Sequence, residues 1–383
     1  LVIYLEYIGT SVADLVEARR LLEPLALRRT IELLDEEGIA ALRHELRPGP
    51  VSQPGLHRQD RLHQLLGHRS GNTTLHLLVD VLARLTTRYA HMSVRVSAEE
   101  TARNRRRMAD SHLTVVEATV AGDAGPAVAA LDEHLVEIGR ILSASAPQPG
   151  APRSGIAADL ASMGPGVKLA EVVAARLHDE IAAAGWQIGS VHGSEAALLE
   201  RFGISRSVLR EAIRLLESHS VARMRRGPGG GLVVTEPQPW AGVETMALYL
   251  DHQGIQPQDL RSVREVLELG CLDRVFARRG EQAVPAAVEG RPTPSGPAQA
   301  DSFHLDLADA AASPVLGLFL RIVTELWGRH IEARRPEVGP GSHTPVVADA
   351  HGRILEALRA GDLPLARHRM QRHLAALSDF WHS

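Results

Sequence analysis

The stretch Gly193–Thr235, GSEAALLERFGISRSVLREAIRLLESHSVARMRRGPGGGLVVT, decides how the chain is read. Ser194 predicts a helix N-cap, Glu195 places a carboxylate in the first turn where the helix dipole favours it, and Gly203 predicts the stop. Ser205 predicts the cap of a second helix running to about Ser218. Leu209, Ala212, Ile213 and Leu216 recur at helical spacing and form one apolar stripe, while Arg206, Arg210 and Arg214 line another flank. Two short helices joined by a tight glycine-containing turn are the helix-turn-helix pattern, whose second helix enters a major groove. Val221–Arg226 and Leu232–Thr235 then predict a hairpin around the glycine-rich tip Gly227–Gly231. Six arginines fall between Ser205 and Arg226, against Glu211 and Glu217. Arginine serves both as a bidentate fork for guanine edges and as charge for phosphates. The plainer alternative is a solvated amphipathic helix, and the order helix, turn, helix, basic hairpin speaks against it. Ser194, Ser205, Arg206, Ser207, Arg210, Arg214, Arg225, Arg226, Gly229 and Gly230 are the expected DNA-facing residues.

With the preceding helix LAEVVAARLHDEIAAAG (Leu169–Gly185), this segment resembles the winged helix-turn-helix of GntR-type bacterial transcription regulators. The resemblance spans about seventy residues. It implies that Arg206 and Arg210 contact DNA and that the wing glycines approach the minor groove. One departure is Ala196, where such regulators often carry an arginine, so one expected contact is missing.

The rest of the composition bounds the classes. The 383 residues suffice for two to four domains, and 44% hydrophobic with 23% charged residues is ordinary for a globular protein. Aromatics are only 3%, so the cores must be built from Leu, Val, Ile and Ala. A net charge of -4 excludes an overall basic coat, and the positive charge is local. The single cysteine, Cys271, excludes an internal disulfide and fits a reducing, cytoplasmic setting. No apolar run is long enough for a membrane span, so no membrane partner is expected. The start LVIYLEYIG lacks a methionine and a basic leader, which reads as a truncation and not as a signal peptide.

A long repeat organises the chain. Tyr4, Gly9, Asp14, Arg19 and Glu23 match Tyr249, Gly254, Asp259, Arg264 and Glu268, each pair 245 residues apart. LHQLLGHRSGNTTL (Leu62–Leu75) matches FHLDLADAAASPVL (Phe303–Leu316), and the segment from His112 to Leu135 matches that from His351 to Leu374. Repeats this long mean domain duplication. Each copy is helical in its periodicity, with Gly, Pro and Asp between segments. The expected architecture is mainly α: two all-helical bundle domains (1–146 and 238–383) flanking one winged helix (167–237) with a small β-hairpin wing, after a linker (147–166). The Pro- and Gly-rich stretches 144–166 and 280–300 read as loop-like.

Histidines carry the chemistry of the two copies. Asp60 and His63 lie three apart on one helix face, with His112 and His134 in the next helical unit. The second copy repeats the set as Asp301, His304, His351 and His373, the last two again 22 residues apart. Three imidazoles and a carboxylate converging in a bundle suit a divalent transition metal (Zn, Ni or Mn), one per domain, with positions left open. The plainer reading is a set of inherited fold residues that bind nothing.

Both halves resemble the FadR-C-terminal-type (FCD) effector domain, through DLVEARRLLE, DRLH…SGN and the paired histidines with their second-copy equivalents. The resemblance implies that the Asp and three His hold a metal and that small carboxylate effectors bind at or near it. It also implies an effector-facing role for Arg19, Asn72 and Arg264, against which stands a plain intrahelical pair of Arg19 with Glu23 and of Arg264 with Glu268. Two departures stand out: the Asp precedes its His by three residues where four is usual, and Ser313 replaces Asn72 in the second copy.

The function expected is a cytoplasmic transcription regulator, not an enzyme. It binds operator DNA and responds to a small carboxylate metabolite. A metal-dependent hydrolase is the first alternative, since an open His/Asp metal site can activate water, but no persuasive general base accompanies the ligands. A dimerisation scaffold with a relic sensor is the second. Because copy one begins where copy two begins after its wing, another winged helix is expected ahead of Leu1 in the parent chain, with the chain acting as an intrachain pseudo-dimer or a homodimer.

Overall fold

In the computed structural model, residues 1–46, 59–92, 97–144, 166–227, 229–278, 299–334 and 344–382 are described. Most of the two loop-like stretches, including the linker 147–166 but for Gly166, lies outside them. Among the described residues the fold is mainly helical with one small sheet. The described chain forms two compact units, one of residues 1–12, 84–104 and 139–242, the other of 13–83, 105–138 and 243–383. This division does not follow the sequence-level boundaries at 146 and 238, because segments of the first repeat side with the winged helix.

The first unit holds α1 (Val2–Tyr7) and the winged helix: α8 (Leu169–Ala183), β1 (Val191–Gly193), α9 (Glu195–Phe202), α10 (Arg206–Ser218), β2 (Ala222–Arg225) and β3 (Gly231–Val234). The strands form an antiparallel sheet of order β1-β3-β2, with Arg223 opposite Val233 and Met224 opposite Leu232. β1 was not expected from sequence: three residues are too few to show alternation. The core beneath the sheet is aliphatic, with Val173, Leu177, Leu198, Leu209, Leu216 and Leu232 buried together.

The second unit contains most of both helical copies. Copy one supplies α2 (Val12–Glu32), α3 (Glu36–Glu45), α4 (Gln59–Arg69), α5 (Thr73–Met92), α6 (Ala98–Val120) and α7 (Ala124–Ala144). After α11 (Pro239–His252), copy two supplies α12 (Pro257–Arg278), α13 (Gln299–Ala311), α14 (Pro314–Arg334), α15 (Thr344–Ala360) and α16 (Leu363–His382). Leu27, Leu62, Leu66, Val115, Leu131 and Leu135 form the buried core of copy one. Burying side chains of this size contributes roughly 1.5–3 kcal/mol each, so aliphatic stripes alone can hold bundles this poor in aromatics.

The copies touch each other along α2 and α12. Arg29 donates to Asp259 at 3.2 Å and to the Ser70 carbonyl at 2.9 Å. Arg274 stands 3.1 Å from Asp14 and donates to the Ala311 carbonyl at 2.8 Å. Gly270 lacks a Cβ where the Leu21 side chain passes, and an added Cβ would collide with it.

Candidate DNA interface and metal centres

Local chemistry builds the DNA-facing element. The Ser194 hydroxyl accepts from the Ala197 amide at 3.2 Å and starts α9, and Gly203 ends it in the left-handed conformation, φ 62°. The Ser205 hydroxyl accepts from the Val208 amide at 3.4 Å and starts α10, with the Ser207 hydroxyl 2.8 Å away. Leu209, Ala212, Ile213 and Leu216 are buried, which turns Arg206, Arg210 and Arg214 to solvent. The amide of Met224 donates to the Glu217 carboxylate at 3.1 Å and fastens the wing to the end of α10. Arg225 donates to the Gly229 carbonyl at 2.9 Å across the wing tip. A Cβ at Gly230 would strike the backbone of Arg225, so only glycine closes this turn. Among the described residues Arg210, Arg214, Arg223 and Arg226 have no carboxylate partner, while Arg206 has only an exposed one, Glu195 at 3.9 Å. Unpaired exposed guanidiniums on one small domain are suited to phosphates and base edges.

The predicted histidines converge. In copy one, His63 on α4, His112 on α6 and His134 on α7 are buried. His63 Nε2 lies 3.0 Å and His112 Nε2 3.1 Å from His134 Nε2. In copy two, His304 on α13 and His351 on α15 place Nε2 at 3.2 and 3.0 Å from Nε2 of His373 on α16. Each triad brings ligand atoms within the reach of one metal ion. Asp60 and Asp301 fall on α4 and α13, but their side chains lie outside the described residues.

What orients the rings was only half legible in sequence. Arg19 and Glu23 form the intrahelical pair at 2.5 Å, yet it is buried, not a surface pair. The second Glu23 oxygen receives His63 Nδ1 at 2.6 Å. Arg264, Glu268 and His304 repeat this, with Arg264 Nε 2.8 Å from Glu268 and Glu268 bound to His304 Nδ1. Burial pushes the Glu23 and Glu268 carboxyls up, but the adjacent guanidinium and imidazole overcome it and hold each at about 2. Each is therefore an anion that accepts the Nδ1 proton. That fixes the tautomer and turns the Nε2 lone pair inward. Ser111 does the same for His134: its hydroxyl donates to the Met108 carbonyl at 3.0 Å and accepts from His134 Nδ1 at 2.7 Å. Burial lowers His112 to about 3, His351 to about 2 and His373 to about 3, and lowers His134 as well, so these rings are neutral at pH 7.

These residues fit a metal. With Nδ1–H fixed on both His63 and His134, two lone pairs face each other at 3.0 Å, an arrangement that a cation relieves. Neutral imidazole with Nε2 free is the ligand form.

Asn72 is placed elsewhere. Its amide donates to the Asp259 carbonyl at 3.0 Å and to Ser262 at 3.2 Å, and its oxygen accepts from the Leu75 amide at 2.9 Å. It caps α5 on the seam between the copies, outside the triad.

With this geometry in view, family models place the chain. The description "Bacterial regulatory proteins, gntR family" matches residues 169–232, and "FCD domain" matches residues 14–137 and 259–376. The chain belongs to the GntR family of transcription regulators, with FCD effector domains. It is 30% identical over 203 residues to the HTH-type transcriptional regulator RmpR of Mycobacterium gastri, covering 48% of this chain and 72% of RmpR. It is 27% identical over 197 residues to the HTH-type transcriptional regulator LutR of Bacillus subtilis (strain 168), covering 49% of this chain and 89% of LutR. The solved structure of Streptococcus agalactiae GntR aligns at 18% identity with TM-score 0.35, covering 54% of this chain and 97% of that one, too weak a likeness to bear on function. The family's domains and relatives are regulators, not enzymes. No helix among the described residues is long and apolar enough to cross a membrane.

Proposed function

We propose that this regulator binds operator DNA through α10 and the wing, and that its two helical copies each hold a divalent transition metal, Zn, Ni or Mn, at which a small carboxylate metabolite acts. The observation that carries the reading is the triad of converging Nε2 atoms, present twice with the same Arg–Glu–His arrangement behind it. His63, His112 and His134, and His304, His351 and His373, would hold the metals, with Asp60 and Asp301 as fourth ligands. A metal with open positions supplies an electrophilic centre for a carboxylate. Arg19 and Arg264 serve it indirectly, by keeping Glu23 and Glu268 ionised.

The reciprocal contacts of Arg29 with Asp259 and Arg274 with Asp14 support a further part of the reading: the two copies act as an intrachain pseudo-dimer. A metabolite shifts DNA binding only if it binds the DNA-competent and incompetent arrangements with different free energy.

Operator affinity, followed by fluorescence anisotropy on metal-loaded and metal-stripped protein across a panel of small carboxylates, tests this. At least one carboxylate is expected to change operator affinity about tenfold in the loaded form only, a coupling of about 1.4 kcal/mol. Loaded protein whose operator affinity responds to no carboxylate, or responds equally after stripping, overturns the sensing reading.

A further inference from the structure

The two triads differ in one hydrogen bond. In copy one the Ser111 hydroxyl, committed as donor to the Met108 carbonyl, accepts the His134 Nδ1 proton. The residue at the equivalent place in copy two, just before His351 as Ser111 is just before His112, is Ala350, which has no hydroxyl to accept a proton from His373. No other acceptor for His373 Nδ1 occurs among the described residues. His373 can then carry its proton on Nε2, and that proton must move before the nitrogen can ligate. Copy two compensates in another way: the Phe303 ring stacks on His351, centroids 4.0 Å apart and planes 13° from parallel, where copy one has Leu62. Stacking steadies the ring of His351, but it accepts no proton and leaves the His373 tautomer unset.

Resting on the reading that the triads hold metal, we propose that the two sites are unequal. Ser111 is a positioning residue that makes the His63–His112–His134 site the tighter one, and Ala350 leaves the His304–His351–His373 site weaker. Partners behind metal-bound histidines commonly account for about 10- to 100-fold in affinity.

Zn²⁺ alone, titrated into the metal-free full chain against a chromophoric chelator at neutral pH, reads this. Two equivalents are expected with dissociation constants about 10-fold or more apart. His112→Ala removes the tighter equivalent and His351→Ala the weaker, which assigns them. Ser111→Ala weakens only the tighter site, Ser111→Thr retains it, and Ala350→Ser tightens only the weaker one. Circular dichroism of the metal-free variants separates this from misfolding, since Ala350→Ser should leave the metal-free fold unchanged. Two equal affinities, or Ser111→Ala and Ala350→Ser that move neither site, overturn the inequality while leaving metal binding intact. Absence of any Zn²⁺ binding removes the metal reading and the inequality with it.

Discussion

Arg274 holds Asp14 at 3.1 Å as Arg29 holds Asp259 at 3.2 Å, and each arginine is 245 residues from its counterpart, as is each aspartate. The two FCD-matching segments thus meet through residues at equivalent positions, each arginine on the other segment's aspartate. Both arginines also hold the carbonyl that ends the helix α4 or α13 region of their own copy, Ser70 in one and Ala311 in the other. The seam is therefore tied to the helices that carry His63 and His304.

That seam is packed tightly enough to be tested by volume. Gly270→Val puts a branched side chain against Leu21. It is expected to destabilise the protein by about 1–3 kcal/mol in urea unfolding, as overpacking does. The partly exposed Arg274–Asp14 pair contributes less. A double-mutant cycle on it is expected to return a coupling of about 0.2–1 kcal/mol, falling as salt is added.

Glu23 and Glu268 each face a buried guanidinium and a buried imidazole. Replacing Glu23 by Gln breaks the buried ion pair with Arg19 and removes the carboxylate that faces His63 Nδ1. The expected cost is about 3–5 kcal/mol, measured by chemical unfolding of metal-free protein. A change below about 1 kcal/mol would show that Glu23 is not the ionised partner described here.

His178 supplies a pH dependence away from the triads. It is buried on α8, its Nδ1 lies 3.3 Å from Asp179, and burial lowers its pKa despite that carboxylate. The unfolded chain binds the proton at its ordinary pKa near 6.5, whereas the folded protein resists it. Between that value and the lowered one the unfolded state holds more protons, so stability contributed by neutral His178 falls as pH drops below about 6.5. His178→Leu is expected to flatten the decline between pH 7 and 5 in thermal melts. An unchanged slope would remove His178 as its source.

On α10, Arg206→Ala or Arg210→Ala is expected to cost about 1–3 kcal/mol in operator binding if the residue reads a base. Arg226→Ala on the wing is expected to weaken all sequences alike and to lower the salt slope by about one. Unchanged operator affinity in both helix variants would remove α10 as the reading element.

How much of this was legible in the sequence follows from the range of each interaction. The caps Ser194 and Ser205, the stop at Gly203 and the stripe of Leu209, Ala212, Ile213 and Leu216 are local, and the helices formed where they point. The six histidines were legible because their spacing recurs in the two segments that match the FCD domain. The Arg19–Glu23 pair was visible at i, i+4, but the turn of Glu23 towards His63, 40 residues on, was not. Ser111 was not singled out either, since nothing marks a serine beside a histidine as the acceptor for a different histidine 23 residues later. Asn72 was assigned to the effector by resemblance alone, and its amide lies on the seam, a long-range contact that no local pattern encodes. A comparison of the two copies offers the signal for Ser111: the position differs, Ser in one and Ala in the other, beside ligands that do not.

The most direct measurement is the number of metal ions held per chain. Metal-free protein dialysed to equilibrium against micromolar Zn²⁺ and analysed for metal is expected to hold two ions per chain. The His112→Ala, His351→Ala double variant is expected to hold none. Wild-type protein that takes up no metal, or a double variant that still takes up two ions, would contradict the account of the triads as metal centres.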